Sequence, residues 1–141
     1  MPKPRDRKDA HSGYSMDVVS ACNCIIIKFG GTIGAEDFLK AVLDIESSDG
    51  YKPSMNRLFD YRFAGTNFGT SDVVSLSGWA HTRGYANQHR KVAHLAEDDA
   101  TFGLLRVLIA HSSGFSSNLL VTRDPEEACN WVGLTTKYAL D

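Results

Sequence analysis

The chain has 141 residues, 43% of them hydrophobic and 23% charged, with 12 glycines and 4 prolines. That apolar share suits a single packed domain of the usual ~100–150 residues and excludes a disordered chain. Fifteen basic residues against seventeen acidic ones leave a net charge of −2, which removes the basic footprint of a general nucleic-acid binder. The longest apolar stretch, Leu104 to Ala110, is interrupted by Arg106 and falls far short of the ~20 residues that span a bilayer.

The charged opening, Met1 to Ala10, lacks the apolar core of a secretory signal and reads as a solvated tail. Tyr14 to Ala21 and Cys24 to Gly30 are rich in apolar and β-branched residues and predict an opening hairpin. Cys24-Ile-Ile-Ile-Lys-Phe is almost continuously apolar, as in a strand covered on both faces. Gly30-Gly31-Thr32-Ile33-Gly34 should end that strand, and a helix follows from Ala35 to about Ser47. Phe38, Val42 and Ile45 fall on its one apolar stripe, and Glu36 and Asp37 suit the positive end of its dipole.

Asn56 to Arg62 predicts a third strand and Phe63 to Gly69 a connection. A helix beginning at Thr70 or Ser71 runs past Trp79 to a stop at Gly84. Lys91 to Ala96 is the next strand. The helix after Asp98 or Asp99 carries Phe102, Leu104, Leu105, Val107, Leu108 and Ile109, so it should be largely buried. Gly103 within it implies close packing against a neighbour. Asn118 to Thr122 is a final strand, and Asp124-Pro125-Glu126-Glu127 opens a last helix that stops at Gly133.

The order β-β-α-β-α-β-α-β-α predicts an α/β domain over residues 14–133, with tails at 1–13 and 134–141. Its sheet should be single, mixed and mainly parallel, with four or five strands opened by an antiparallel hairpin and about four helices packed on it. Tyr14 to Ala21 would lie at a sheet edge, which invites pairing into a homodimer.

Three segments carry a family resemblance: Phe29-Gly30 with Ile33 and Glu36-Asp37, then Arg57-Leu-Phe-Asp60-Tyr-Arg62, and finally Arg123-Asp-Pro-Glu-Glu-Ala-Cys-Asn-Trp-Val-Gly133. Together they resemble the small bacterial proteins of the STAS/SpoIIAA-like superfamily over roughly residues 14 to 133. The resemblance implies a four- to five-stranded sheet with helices against it. It also implies the roles of that superfamily: anti-sigma-factor antagonists, cytoplasmic domains of anion transporters and stand-alone binding modules. A related theme occurs in lipid-transfer domains of the CRAL-TRIO type.

In the antagonists a serine at a helix start is phosphorylated by a partner kinase. Ser71 stands in the comparable place here, after the strand that contains Asp60. It reads either as that phosphoacceptor or as an ordinary N-cap. The antagonists' Asp-Ser-Ser/Thr-Gly signature is replaced by Gly69-Thr70-Ser71-Asp72. A second cluster is Asp60, Arg62, Glu97, Asp98, Asp99 and Arg123, at or just beyond strand C-termini, where open α/β sheets usually bind ligands. Its two arginines could hold a carboxylate or phosphate, and its acids could equally be salt bridges and caps.

His81, Arg83, His89, Arg90, Lys91 and His94 form a locally basic stretch that suits either an acidic partner or a solvated edge. Cys22, Cys24 and Cys129 are too few for a disulfide framework and lack zinc-site spacing, so neither metal nor cofactor is expected and a reducing cytoplasm fits. No nucleophile elbow, phosphate loop or His-Glu-x-x-His motif occurs. These features lead to a non-catalytic cytoplasmic module that binds a protein or small ligand. The alternatives are a lipid- or small-molecule-binding domain with an apolar pocket beneath the second and third helices, and an enzyme of unknown reaction.

Overall fold

The computed structural model describes residues 13–84, 89–112 and 118–135. The tails expected at 1–13 and 134–141 therefore lie outside the described residues, except for Gly13, Leu134 and Thr135. Gly13 already belongs to the sheet, and Leu134 is buried in the core.

Five strands form one sheet in the order β1-β2-β3-β4-β5: Gly13–Val19, Cys24–Ile33, Asn56–Thr66, Val92–Leu95 and Leu119–Thr122. β1 pairs with β2 antiparallel, and every later pairing is parallel. Four helices complete the chain: α1 Ala35–Ser47, α2 Thr70–Thr82, α3 Asp99–Ala110 and α4 Pro125–Val132. The α/β architecture expected from the alternation of elements is the one observed.

Strand order decides the layers. From β2 to β5 each crossover steps the same way along the sheet, and right-handed crossovers of one direction place their helices on one face. α1 and α3 accordingly share a core with Ile25, Ile27, Phe29, Phe59 and Tyr61, with Trp79 of α2 packed against it. α4 covers the opposite face, where Ala128, Cys129 and Val132 meet Cys24, Ile26, Leu58, Ala93 and Leu95. The two sets alternate along β2, so the continuous apolar run Cys24 to Ile27 is buried on both sides.

Both central strands run longer than their glycines suggested. β2 continues through Gly30-Gly31 to Ile33, and β3 continues through Phe63 to Thr66. Between the pairs Lys28↔Asp60 and Gly30↔Phe63, β3 holds one residue more than β2. This bulge reverses the alternation: Phe59 and Tyr61 face the α1–α3 core before it, and Ala64 faces the same core after it. β1 is shorter than expected, because Ser20–Cys22 form a 3-10 turn before Asn23 at φ 51.

The helix starts follow short-range chemistry. Asp37 Oδ2 accepts from Gly34 N at 2.7 Å ahead of α1, and Asp72 Oδ2 accepts from Gly69 N at 3.0 Å ahead of α2. Gly69 is thus the N-cap of α2, and Ser71, a candidate for that role, is instead the exposed second residue of the helix. The reason is that Asp72, three residues after Gly69, reaches back to the cap N–H, a geometry closed to Ser71. Asp98 and Asp124 cap α3 and α4, Pro125 opens α4, and Gly133 at φ 80 ends it.

α3 is less buried than its sequence implies. Among its residues Thr101 and Leu105 are buried, while Phe102, Leu104, Val107, Leu108 and Ile109 are half-exposed. It lies over β5, a four-residue edge strand that offers little surface to cover. Gly103 is exposed, and a methyl group built on it would meet nothing within 4 Å, so close packing is not its reason. Gly103→Ala should therefore raise the unfolding free energy by about 0.5–1 kcal/mol, measured by urea titration. A drop in stability would show that the space around α3 is not open.

Candidate functional site

The strand C-terminal edge resolves into three separate arrangements. Asp60 and Arg62 project from β3 toward the α4 side and are 1% and 5% exposed. Arg62 Nε and one terminal nitrogen donate to the two Asp60 carboxylate oxygens at 3.0 and 2.8 Å. The Arg62 backbone N–H also donates to Asp60 Oδ1 at 3.0 Å. Asp60 therefore satisfies a backbone donor at the β3 bulge as well as a guanidinium. Burial draws the Arg62 pKa down, but the Asp60 hydrogen bonds and the charges of Asp60 and Glu97 outweigh it, so the net shift is upward.

Asp98 is engaged at the start of α3, accepting from Thr101 N at 2.8 Å and from the Thr101 hydroxyl at 3.1 Å. Arg123 lies at the surface, donating to Glu97 O and to Asp99 Oδ1, both at 2.8 Å, with its guanidinium 4.4 Å from the Phe102 ring centre. The structure thus brings Asp60 to Arg62, and Arg123 to Glu97 and Asp99, while Asp98 serves its own helix. Ser71 stands apart from all of them on α2, where the neighbouring Asp72 carboxylate already occupies the Gly69 N–H.

A cavity of about 80 Å³ lies at the other end of the strands, on the three-helix face. Phe59, Val92 and His94 form its floor on the sheet; Val42 of α1, Leu76 and Trp79 of α2 and Leu108 of α3 form its walls. Arg57, at the start of β3, and Arg90, just before β4, make one side polar. Both guanidinium groups reach the Tyr51 hydroxyl, at 3.2 and 3.4 Å, and Arg90 also reaches Pro53 O at 3.4 Å. Glu46 pairs with Arg83 and approaches Arg57 at 4.0 Å. Ser77, on the inner side of α2, is buried, and its Oγ has no hydrogen-bond partner among the described residues.

His94 stacks against both Phe59 and Tyr61, with ring centres 5.2 and 5.8 Å away, and its Nδ1 shares a 3.0 Å hydrogen bond with the Tyr61 hydroxyl. Burial lowers its pKa to about 3, and the same burial raises that of Tyr61. His89, in contrast, is exposed and lies outside β4.

The three cysteines lie beside α4 and none of them is in a disulfide; burial, and then the neighbouring Cys22 and Cys129, push the Cys24 thiol up to about 12. Among the described residues no group of three or more metal-ligating side chains comes together. No helix among them is long and apolar enough to cross a membrane.

Of the basic stretch from His81 to His94, Arg90 and His94 line this cavity. Arg57 lies within the β3 strand motif, and its signal in the sequence is an arginine at an inward-facing position, two residues before Phe59 and four before Tyr61.

A sheet in sequential order with three helices on one face and a fourth on the other defines a small α/β class. Neither a protein-family model nor a curated protein matches the chain. Among solved structures it is similar to an uncharacterized protein of the DUF3478 family with a SpoIIAA-like fold, from Shewanella loihica PV-4. The TM-score is 0.54 at 15% identity, covering 86% of this chain and 95% of that one. The chain has a SpoIIAA-like fold, as the resemblance in its sequence implied.

Two stability measurements follow from this geometry. Arg62→Leu leaves Asp60 buried without its cation and should cost about 3–5 kcal/mol, whereas the double variant Asp60→Leu/Arg62→Leu should recover much of that loss. Equal losses in single and double variants would refute a closed pair. For His94, the folded pKa of about 3 lies below the unfolded value of 6.5. The unfolded chain therefore takes up a proton first, and stability should fall as pH drops from about 6.5 toward 3. His94→Gln should flatten that part of a denaturation-versus-pH curve; an unchanged curve would contradict the assignment.

Proposed function

We propose that this chain is a non-catalytic binding module that takes a small, largely apolar ligand into the cavity beneath α2. The observation that carries the reading is the cavity itself: about 80 Å³, apolar on the floor and walls, with polar groups gathered at one side. Such a combination of apolar lining and few convergent polar groups is the common form of a ligand site. A binding rather than catalytic role is supported by His94. With a pKa lowered to about 3 and its Nδ1 engaged by Tyr61, it is a poor proton acceptor near neutrality.

A cytoplasmic setting belongs to the same proposal and is supported by three cysteines of which none is in a disulfide. Self-association is supported by β1, a sheet edge among the described residues. Binding of a protein partner is the second reading, favoured by Leu43 and Val74, both 43% exposed on α1 and α2.

Native mass spectrometry and calorimetry test the first reading. The purified chain should carry a small non-covalent adduct above its 15.5 kDa mass or, if empty, bind hexan-1-ol with measurable heat. Ala80→Phe, which places a ring in the cavity, should abolish both while leaving the circular dichroism spectrum unchanged. A bare chain that is indifferent to hexan-1-ol would overturn the reading.

A further inference from the structure

The geometry points to Ser77 as the residue that fixes the polar end of the ligand, and to a short neutral molecule with one hydroxyl or carbonyl oxygen as the occupant. The inference rests on the cavity reading above and adds the group that the ligand must carry.

Ser77 stands in the middle of α2, is 4% exposed and lines the cavity. A buried serine inside a helix can satisfy its hydroxyl on the carbonyl four residues earlier. Thr82 does so on the same helix, donating to Gly78 O at 3.0 Å. Ser112, which also lines the cavity, does so with Leu108 O at 2.6 Å. Ser77 Oγ does not, and it meets no other hydrogen-bond partner among the described residues.

A buried hydroxyl left so costs stability unless something in the cavity pairs with it. A single water there would need about two to four polar partners. Leu76 and Ala80 beside Ser77 on α2, with Val42 of α1 and Leu108 of α3, offer apolar side chains instead. A ligand that lays its carbon chain on these walls and turns one oxygen to Ser77 satisfies both. The serine hydroxyl can donate to a carbonyl and can donate to or accept from an alcohol.

The same walls argue for a neutral occupant. The charged groups at the side of the cavity are already met from within the fold: Arg57 by the Tyr51 hydroxyl, with Glu46 at 4.0 Å, and Arg90 by the Tyr51 hydroxyl and Pro53 O. A charged ligand would lose its water between apolar side chains, a cost that a serine hydroxyl does not offset.

Amide NMR titration of the full chain with propan-1-ol and 1-chloropropane tests the inference. The two share a three-carbon chain, short enough for a cavity of about 80 Å³, and only the first carries a hydroxyl. Ser77→Ala should weaken propan-1-ol binding about five- to tenfold and leave 1-chloropropane binding unchanged. Without ligand, the same variant should raise the urea midpoint, because it removes a hydroxyl that has no partner and adds a better helix former. If Ser77→Ala does not fold, Ser77→Cys, a weaker donor of similar shape, gives the same comparison of the two probes. A variant that binds propan-1-ol like the parent, or that weakens both probes alike, would overturn the inference and leave the cavity reading standing. A lowered urea midpoint would show that the hydroxyl serves the fold, which also overturns it. Binding of neither probe would overturn it too, and the hexan-1-ol titration then decides the cavity reading separately.

Discussion

Three helices share one face of a five-stranded sheet and take up its whole width. Adjacent strands lie about 4.8 Å apart, so five strands span about 19 Å, and three helices at about 8–10 Å from axis to axis need about 16–20 Å. Sequential strand order forces α1, α2 and α3 onto the same side. α2 consequently packs chiefly on α1 and α3, with Val73 and Ser77 turned inward, instead of lying flat on the strands. The space left beneath it is the cavity. The same constraint leaves the opposite face to α4 alone, which is why a second, smaller core forms there.

Sequential order also accounts for where the cavity lies. Open α/β sheets usually bind ligands at the carboxyl ends of their strands because neighbouring crossovers diverge there at a switch in strand order. From β2 to β5 the order never reverses, so no such crevice arises among the described residues. Asp60, Arg62, Asp98 and Arg123 instead hold a bulge, a helix start and a surface turn together. The amino ends of β3 and β4 are the ones that open beneath a raised helix, and Arg57 and Arg90 enter from there.

β3 joins the two regions. On the cavity side it presents Arg57, Phe59 and Tyr61, and on the α4 side Leu58, Asp60 and Arg62, all of them buried. Burying so many polar groups on one strand is tolerable because each gains a partner from its own neighbourhood: Tyr51 for Arg57, His94 for Tyr61, and Asp60 for Arg62. The bulge between Asp60 and Phe63 adds one residue, which keeps the side chains beyond it aimed at the larger core.

Local chemistry was legible in the sequence. The two-sided burial of Cys24 to Ile27, the stripe of α1, the Asp98 cap and the Asp-Pro start and Gly133 end of α4 all depend on residues within a few positions of one another. Period, capping and turn preference therefore sufficed, and the alternation of elements with a SpoIIAA-like resemblance gave the fold class. Features that depend on a neighbour distant in the chain were not legible. Pairing with β3 carried β2 through Gly30 and Gly31, where composition argued for a break. Asp72, reaching back to the Gly69 N–H, starts α2 at Gly69 and leaves Ser71 inside its first turn, and the narrow β5 edge left α3 half-exposed despite its apolar sequence. Meeting of Arg57, Ser77 and Arg90 from three separate elements was decided by tertiary structure alone, because only the crowding of helices on one face brings them around a common space.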